Sequence, residues 1–138
     1  MKFNALIPEL GVSHFEKSLS FYVTVLGFQI EYQRPENHFA FLSYQECQVM
    51  IEQENSVWQT GALKYPYGRG MNLQIEVDAI DPLLQSLQMH GYPLFVEPRD
   101  RWYRKDEVFL GQREFLVMDP DGYVLRFSQY LGERQPEI

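Results

Sequence analysis

Two periods of apolar and polar alternation run along this chain, and the switches between them mark its elements. Phe3 to Leu10 reads as a strand interrupted by Pro8. Proline lacks the N–H that a ladder needs, so this strand belongs at an edge or changes partner near Pro8. Phe15, Leu19, Tyr22 and Leu26 then recur at helical spacing. Ser13 and Glu16 stand ahead of that stripe at capping-box spacing, and Gly27 follows it where a left-handed residue is wanted. Strands are expected at Phe28–Arg34, His38–Ser43 and Cys47–Glu52, separated by turns at Pro35–Asn37 and Tyr44–Glu46. On the third strand Phe39 and Phe41 share a face.

Asn55 to Gly70 has three glycines and no clear period, and reads as a connector. The pattern then begins again. Met71–Val77 reads as a strand. A helix follows, with Asp81 as its cap, Pro82 at its first position, a stripe of Ile80, Leu84 and Leu87, and Gly91 at its end. Leu94–Glu97 is a short strand, and Pro98–Val108 a charged loop carrying Trp102 and Tyr103. Arg113–Met118 and Tyr123–Phe127 form a hairpin across Asp119-Pro120-Asp121-Gly122, and a polar tail runs from Leu131 to Ile138. In the last strand Arg126 shares its face with Val124 and Ser128, an unusual place for a permanent charge.

The two helix-ending glycines, Gly27 and Gly91, lie 64 residues apart, and each is followed by an aromatic residue. Strand-helix-strand-strand-strand therefore occurs twice. The expected fold is α+β, with two tandem βαβββ modules whose curved sheets enclose a cavity and whose helices lie outside. The modules cover about 1–54 and 71–131 of a single domain spanning 1–138, with 55–70 between them.

Charge narrows the partners. A net charge of −7 repels phosphate backbones, so nucleic acid is not an expected partner, whereas a cationic ligand would be attracted. Aromatics make up 15% of the chain, enough for both a packed β core and a stacking site. The single cysteine, Cys47, shares a face with Val49 and Ile51 and reads as a small core residue. No apolar run approaches the roughly 18 residues of a membrane span, and none resembles a signal peptide, so the cytoplasm is the expected compartment.

Three segments carry a family resemblance: Ser18–Tyr32 (SLSFYVTVLGFQIEY), Gly68–Asp81 (GRGMNLQIEVDAID) and Gly111–Phe127 (GQREFLVMDPDGYVLRF). They resemble, in order, parts of the vicinal oxygen chelate proteins, which include glyoxalase I, extradiol dioxygenases and the fosfomycin- and bleomycin-resistance proteins. Metal-using members hold the ion with four His, Gln or Glu side chains. The matching positions here are near Ile7, Glu52, Asn72 and Arg126. Ile7 cannot ligate and Arg126 repels a divalent cation, so neither a metal nor another cofactor is expected.

Pro8, the segment Arg113–Phe115 and the missing ligands resemble the bleomycin-resistance branch. That resemblance implies a homodimer that exchanges its N-terminal strand about Pro8 and sequesters a small aromatic, cationic molecule without chemistry. The residues expected to bind it are Phe39, Phe41, Glu52, Asn72, Gln74, Trp102, Tyr103, Phe109, Leu110, Glu114 and Arg126. Glu114 would pair with a ligand amine, and Arg126 with Glu52, directly or through a bridging ligand, where a metal would otherwise sit. The alternatives are a metal-dependent glyoxalase, dioxygenase or thiol transferase, and a metal-free enzyme using Glu52 or Glu114 as a base.

Overall fold

The computed structural model describes residues 1–136. Its elements, in chain order, are β1 (Glu9–Val12), α1 (Phe15–Ser20) running into a wider turn at Phe21–Val25, β2 (Gln29–Arg34), β3 (Phe39–Tyr44), β4 (Cys47–Gln53), β5 (Asn72–Glu76), α2 (Asp81–Met89), β6 (Val96–Lys105), β7 (Val108–Met118) and β8 (Val124–Arg134). They form two four-stranded sheets of the same topology, β1-β4-β3-β2 and β5-β8-β7-β6. In each, the first strand lies parallel to the last and the remaining pairs are antiparallel. The duplication expected from the glycine offset is thus present, with Gly27 (φ 88) and Gly91 (φ 64) ending their helices in the left-handed region. The fold is α+β with tandem modules.

The chain divides into two compact units. Met1–Arg69 and Asp119–Tyr123 make the first, and Gly70–Met118 with the chain from Val124 onward make the second. The Asp-Pro-Asp-Gly turn thus belongs to the first unit although both its strands belong to the second, an arrangement that strand periodicity does not announce.

In the first unit, alternate residues of the sheet (Leu10, Val12, Ala40, Leu42, Val49 and Ile51) are at most 4% exposed. Phe15, Phe21, Tyr22 and Leu26 of the helical segment are buried with them. The first strand is shorter than its apolar run. It begins after Pro8, whose carbonyl still accepts from Met50 N at 2.9 Å. Ser13 does not cap α1. His14 does, with Nδ1 accepting from Lys17 N at 3.3 Å, because a distant carboxyl group has taken Ser13 instead. Asp121 accepts from Ser13 N at 2.9 Å and from Ser13 Oγ.

In the second unit, Ile75, Val77, Leu125, Phe127, Phe115 and Val117 are buried together with Ile80, Leu83 and Leu87 of the α2 segment. Leu83 takes the core place expected for Leu84. Asp81 lies in the first turn of α2 and Ile80 caps it, with its N–H bonded to Gln129 Oε1 at 3.0 Å.

The charged stretch expected as a loop is a strand. Val96–Lys105 pairs with β7 over its length, and Pro98 falls at a register shift, where an edge strand accommodates proline. Its charges follow from that edge position, since charged edges resist pairing with other chains. β8 continues to Arg134, into the expected tail, of which Glu137 and Ile138 lie outside the described residues. Among the described residues no helix is long and apolar enough to cross a membrane.

Candidate functional site

The first sheet has one face packed on α1 and another carrying its polar and aromatic candidates. On the first sheet the register sets out two rows. Glu9, Met50, Phe41 and Tyr32 form one, and Gly11, Glu52, Phe39 and Arg34 the next. Tyr32 stacks on Phe41 with centroids 5.2 Å apart and planes 14° from parallel. The Arg34 guanidinium lies 3.9 Å from the centre of the Phe39 ring. Phe39 and Phe41 are each 1% exposed, while Tyr32 keeps 37%. The two phenylalanines therefore form a floor, and Tyr32 is the exposed ring above it. Phe3 meets Phe41 edge-on at 5.4 Å. The N-terminal segment is tied to β4, with Asn4 N donating to Gln48 Oε1 and Gln48 Nε2 donating to Lys2 O, each at 2.7 Å.

Beside these rows lies a cleft of about 200 Å³. Glu9 and Gly11 of β1, Glu52 of β4, Trp58, Gln59 and Leu63 of the connector, and Tyr123 line it. Asn55 shapes the connector. Its Oδ1 accepts from Val57 N and Trp58 N, and its own N–H donates to Gln59 Oε1 at 2.7 Å. The Asp-Pro-Asp-Gly turn places Tyr123. Asp119 Oδ1 accepts from Asp121 N and Tyr123 N, both at 2.9 Å, and Asp119 Oδ2 accepts from Tyr22 Oη at 2.8 Å. Tyr123 Oη then donates to Gly11 O at 2.9 Å.

Burial raises the Asp119 carboxyl to about 6 against the pull of its hydrogen bonds, and burial together with the two turn carboxylates raises the Tyr123 phenol to about 12. Tyr67 reaches about 12 chiefly because it donates to Glu54 Oε2 at 2.7 Å. Burial raises Cys47 to about 11, so its thiol stays protonated and inert at neutral pH.

Glu9 and Trp58 were not among the residues singled out in the sequence. A signal existed for Glu9: it is a lone charge between Pro8 and Leu10 at the start of an otherwise apolar strand. Trp58 gave none, because the connector has no period against which to place it.

On the second sheet, alternation puts Asn72, Gln74, Tyr103, Leu110, Glu114 and Arg126 on one face and Trp102 with Phe109 on the other. Glu114 is 1% exposed. Its Oε1 accepts from Tyr103 Oη at 2.6 Å, and its Oε2 lies 4.0 Å from Arg126 Nη1. Arg126 Nη2 donates to Gln74 Oε1 at 2.7 Å. Glu52 was the expected direct partner of Arg126; among the described residues the ion pair that Arg126 makes is with Glu114, on the neighbouring strand. A buried carboxylate removed from water needs such partners, and Glu114 spends its oxygens on them. Burial first, and the bond to Glu114 second, raise the Tyr103 phenol.

Trp102 lies against the backbone of Gly111, with the Arg134 guanidinium 4.1 Å from its ring centre. A Cβ at Gly111 would come within 2.7 Å of the indole and 3.0 Å of Leu131 Cβ. Gly111→Ala is accordingly expected to cost about 1–3 kcal/mol, read as a lower midpoint in urea with an unchanged slope.

The donor set does not suit a divalent metal of the kind the resemblance implies. Among the described residues no three His, Cys, Asp or Glu side chains gather where they could hold an ion. Arg126 is already bonded to its neighbours, and Asn72 is a neutral amide.

Residues 5–127 match the Glyoxalase/Bleomycin resistance protein/Dioxygenase superfamily. The chain is similar to the bleomycin resistance protein of Geobacillus stearothermophilus, with 30% identity over 139 residues, covering 91% of this chain and 96% of that protein. The protein of the same name from Staphylococcus aureus strain MRSA252 matches equally. Among solved structures, a glyoxalase/bleomycin resistance protein/dioxygenase from Alicyclobacillus acidocaldarius aligns with a TM-score of 0.66 at 19% identity, over 94% of this chain and 92% of that one. TioX from Micromonospora sp. ML1 aligns with a TM-score of 0.69 at 19% identity, over 94% and 100%. These two likenesses bear on the fold alone. By the match across 5–127 and the 30% identity to its relatives, this chain belongs to the glyoxalase/bleomycin resistance protein/dioxygenase superfamily.

Proposed function

We propose that this protein binds, without chemistry and without metal, a small organic cation that carries a flat aromatic group, such as a bleomycin-family antibiotic. The observation that carries this reading is the stack of Tyr32 on Phe41, one row from the Glu52 carboxylate. A half-exposed ring backed by a buried one is a rigid platform for a planar ligand. A carboxylate beside it rewards positive charge, and the net charge of −7 adds to the attraction. The names of the relatives support the drug class.

The functional form is a cytoplasmic homodimer. An exchanged N-terminal segment would transfer the Asn4–Gln48 bonds to the partner unchanged, which is why Pro8 suits a hinge. The donor set argues for sequestration in place of metal-dependent turnover. Elemental analysis of protein purified without chelator is expected to find far less than one equivalent of Mn, Fe, Ni or Zn. Stoichiometric, tightly held metal, or turnover of a glyoxalase or dioxygenase substrate after Mn²⁺ or Zn²⁺ is added, would overturn the reading.

A further inference from the structure

The cleft of the first unit points to a ligand more specific than the aromatic platform alone. Glu9 and Glu52 stand on adjacent parallel strands, and Glu52 is in register with Gly11, two residues along the same face from Glu9. Both carboxylates line the cleft. Neither has a hydrogen bond or an ion pair among the described residues. Burial and the Glu52 charge make Glu9 harder to ionise, and Arg34 only partly offsets them. Two like charges facing one cleft without a cation between them are a standing repulsion that a positive ligand relieves.

The rest of the lining fits a planar one. Trp58 supplies an indole that is 67% exposed, and Tyr123 supplies a ring pinned to Gly11 O. Gly11 lets the connector close down on the floor of the cleft. A Cβ there would stand 3.1 Å from Gln59 Nε2 and 3.6 Å from Leu63 Cδ1.

The geometry points to this cleft as a subsite for an amidinium or guanidinium group, with Glu9 and Glu52 accepting its N–H donors and Trp58 covering its face. A planar cation with N–H groups along two edges can satisfy two carboxylates at once, which a single ammonium nitrogen does less well. The cation–π attraction of the indole adds to the preference for charge. This inference rests on the binding-protein reading and adds to it the chemical group recognised and two residues, Glu9 and Trp58.

Calorimetric titration with benzamidinium and with its neutral analogue benzamide tests it. Benzamidinium is expected to bind at least about tenfold tighter, the worth of one charge-assisted pair. The double variant Glu9→Gln/Glu52→Gln should lose about that factor for benzamidinium and nothing for benzamide. Gly11→Val, which pushes Gln59 and Leu63 out of their places in the lining and leaves every charge in place, should weaken benzamidinium binding as well. Glu36→Gln/Glu46→Gln removes the same net charge at exposed positions elsewhere and should change affinity less than about twofold.

Equal affinity for the two probes overturns the subsite. So does an unchanged Glu9→Gln/Glu52→Gln variant, or an equal loss in Glu36→Gln/Glu46→Gln. Saturable Mn²⁺ binding that disappears in Glu9→Gln/Glu52→Gln also overturns it, since the pair would then serve a metal. The same variants titrated with metal-free bleomycin separate the two readings. Drug binding indifferent to Glu9→Gln/Glu52→Gln removes the subsite and leaves the binding protein. Benzamidinium selectivity without drug binding supports the subsite and removes the drug.

Discussion

Gly122→Ala is expected to lower the melting temperature by about 10–20 °C. Gly122 sits at φ +94, where L side chains are rare. A Cβ there would lie 2.5 Å from Pro66 Cβ, 2.6 Å from Pro66 Cα and 3.2 Å from Tyr65 Cε2. Two of those atoms belong to or adjoin the backbone, so the strain cannot be shed by turning a side chain. Backbone strain and collision together amount to about 3–5 kcal/mol. Gly70→Ala is the control. Its φ of +89 is nearly the same, but nothing stands within 4 Å of the added carbon. It should show the strain alone, about 1–2 kcal/mol. If the two variants melt together, Pro66 does not press on the turn as described. The effect should reach the cleft as well, because the same turn places Tyr123 against Gly11.

The second large effect concerns Asp119, which is 2% exposed and serves three donors. Asp119→Ala would leave Tyr22 Oη and two backbone N–H groups without their acceptor, at a cost of about 3 kcal/mol or more. Asp119→Asn isolates the charge. The folded carboxyl is raised from 3.8 to about 6, and burial is the main cause. Below both values the folded and unfolded chains hold the proton alike. Between them the folded chain binds it more tightly, and above both each state is ionised. Stability relative to Asp119→Asn is therefore greatest in acid and is lost as pH rises from about 4 through about 6. The total is about 3 kcal/mol, since each pH unit of displacement is worth about 1.4 kcal/mol. Urea titrations of both proteins across that window check it. A difference that stays flat with pH, or one that grows as pH rises, contradicts the assignment.

How far the residues disclosed this architecture differs from element to element, for physical reasons. The glycines after each helix and the Asp-Pro-Asp-Gly turn were readable because special backbone conformations restrict residue choice. The alternation that puts Phe39 and Phe41 on one face was readable because a strand has a strict period of two. β6 was hidden because its charges and Pro98 are what an edge strand tolerates and what a loop also contains. The acceptor that claims Ser13, Asp121, lies 108 residues away, beyond any local pattern that would set Ser13 apart from a cap. The candidate site was legible only as a shared face, for the same reasons. Asn72, Gln74, Tyr103, Leu110, Glu114 and Arg126 do share a face of the second sheet, and their common alternation is why. Trp102 departs from them because strand geometry, unlike a loop, must send it to the side opposite Tyr103, where Gly111 makes room. Glu114 was legible as a candidate, but its bond from Tyr103 depends on β6, whose composition is also that of a loop.

We propose that this member of the superfamily holds a cationic aromatic molecule and does not transform it. Calorimetric titration of metal-free bleomycin into the protein tests that most directly. Saturable heat is expected, weakened about tenfold or more by Tyr32→Ala, which removes the exposed ring of the platform, with the drug recovered chemically unchanged. No saturable heat, or recovery of an altered drug, would contradict the account.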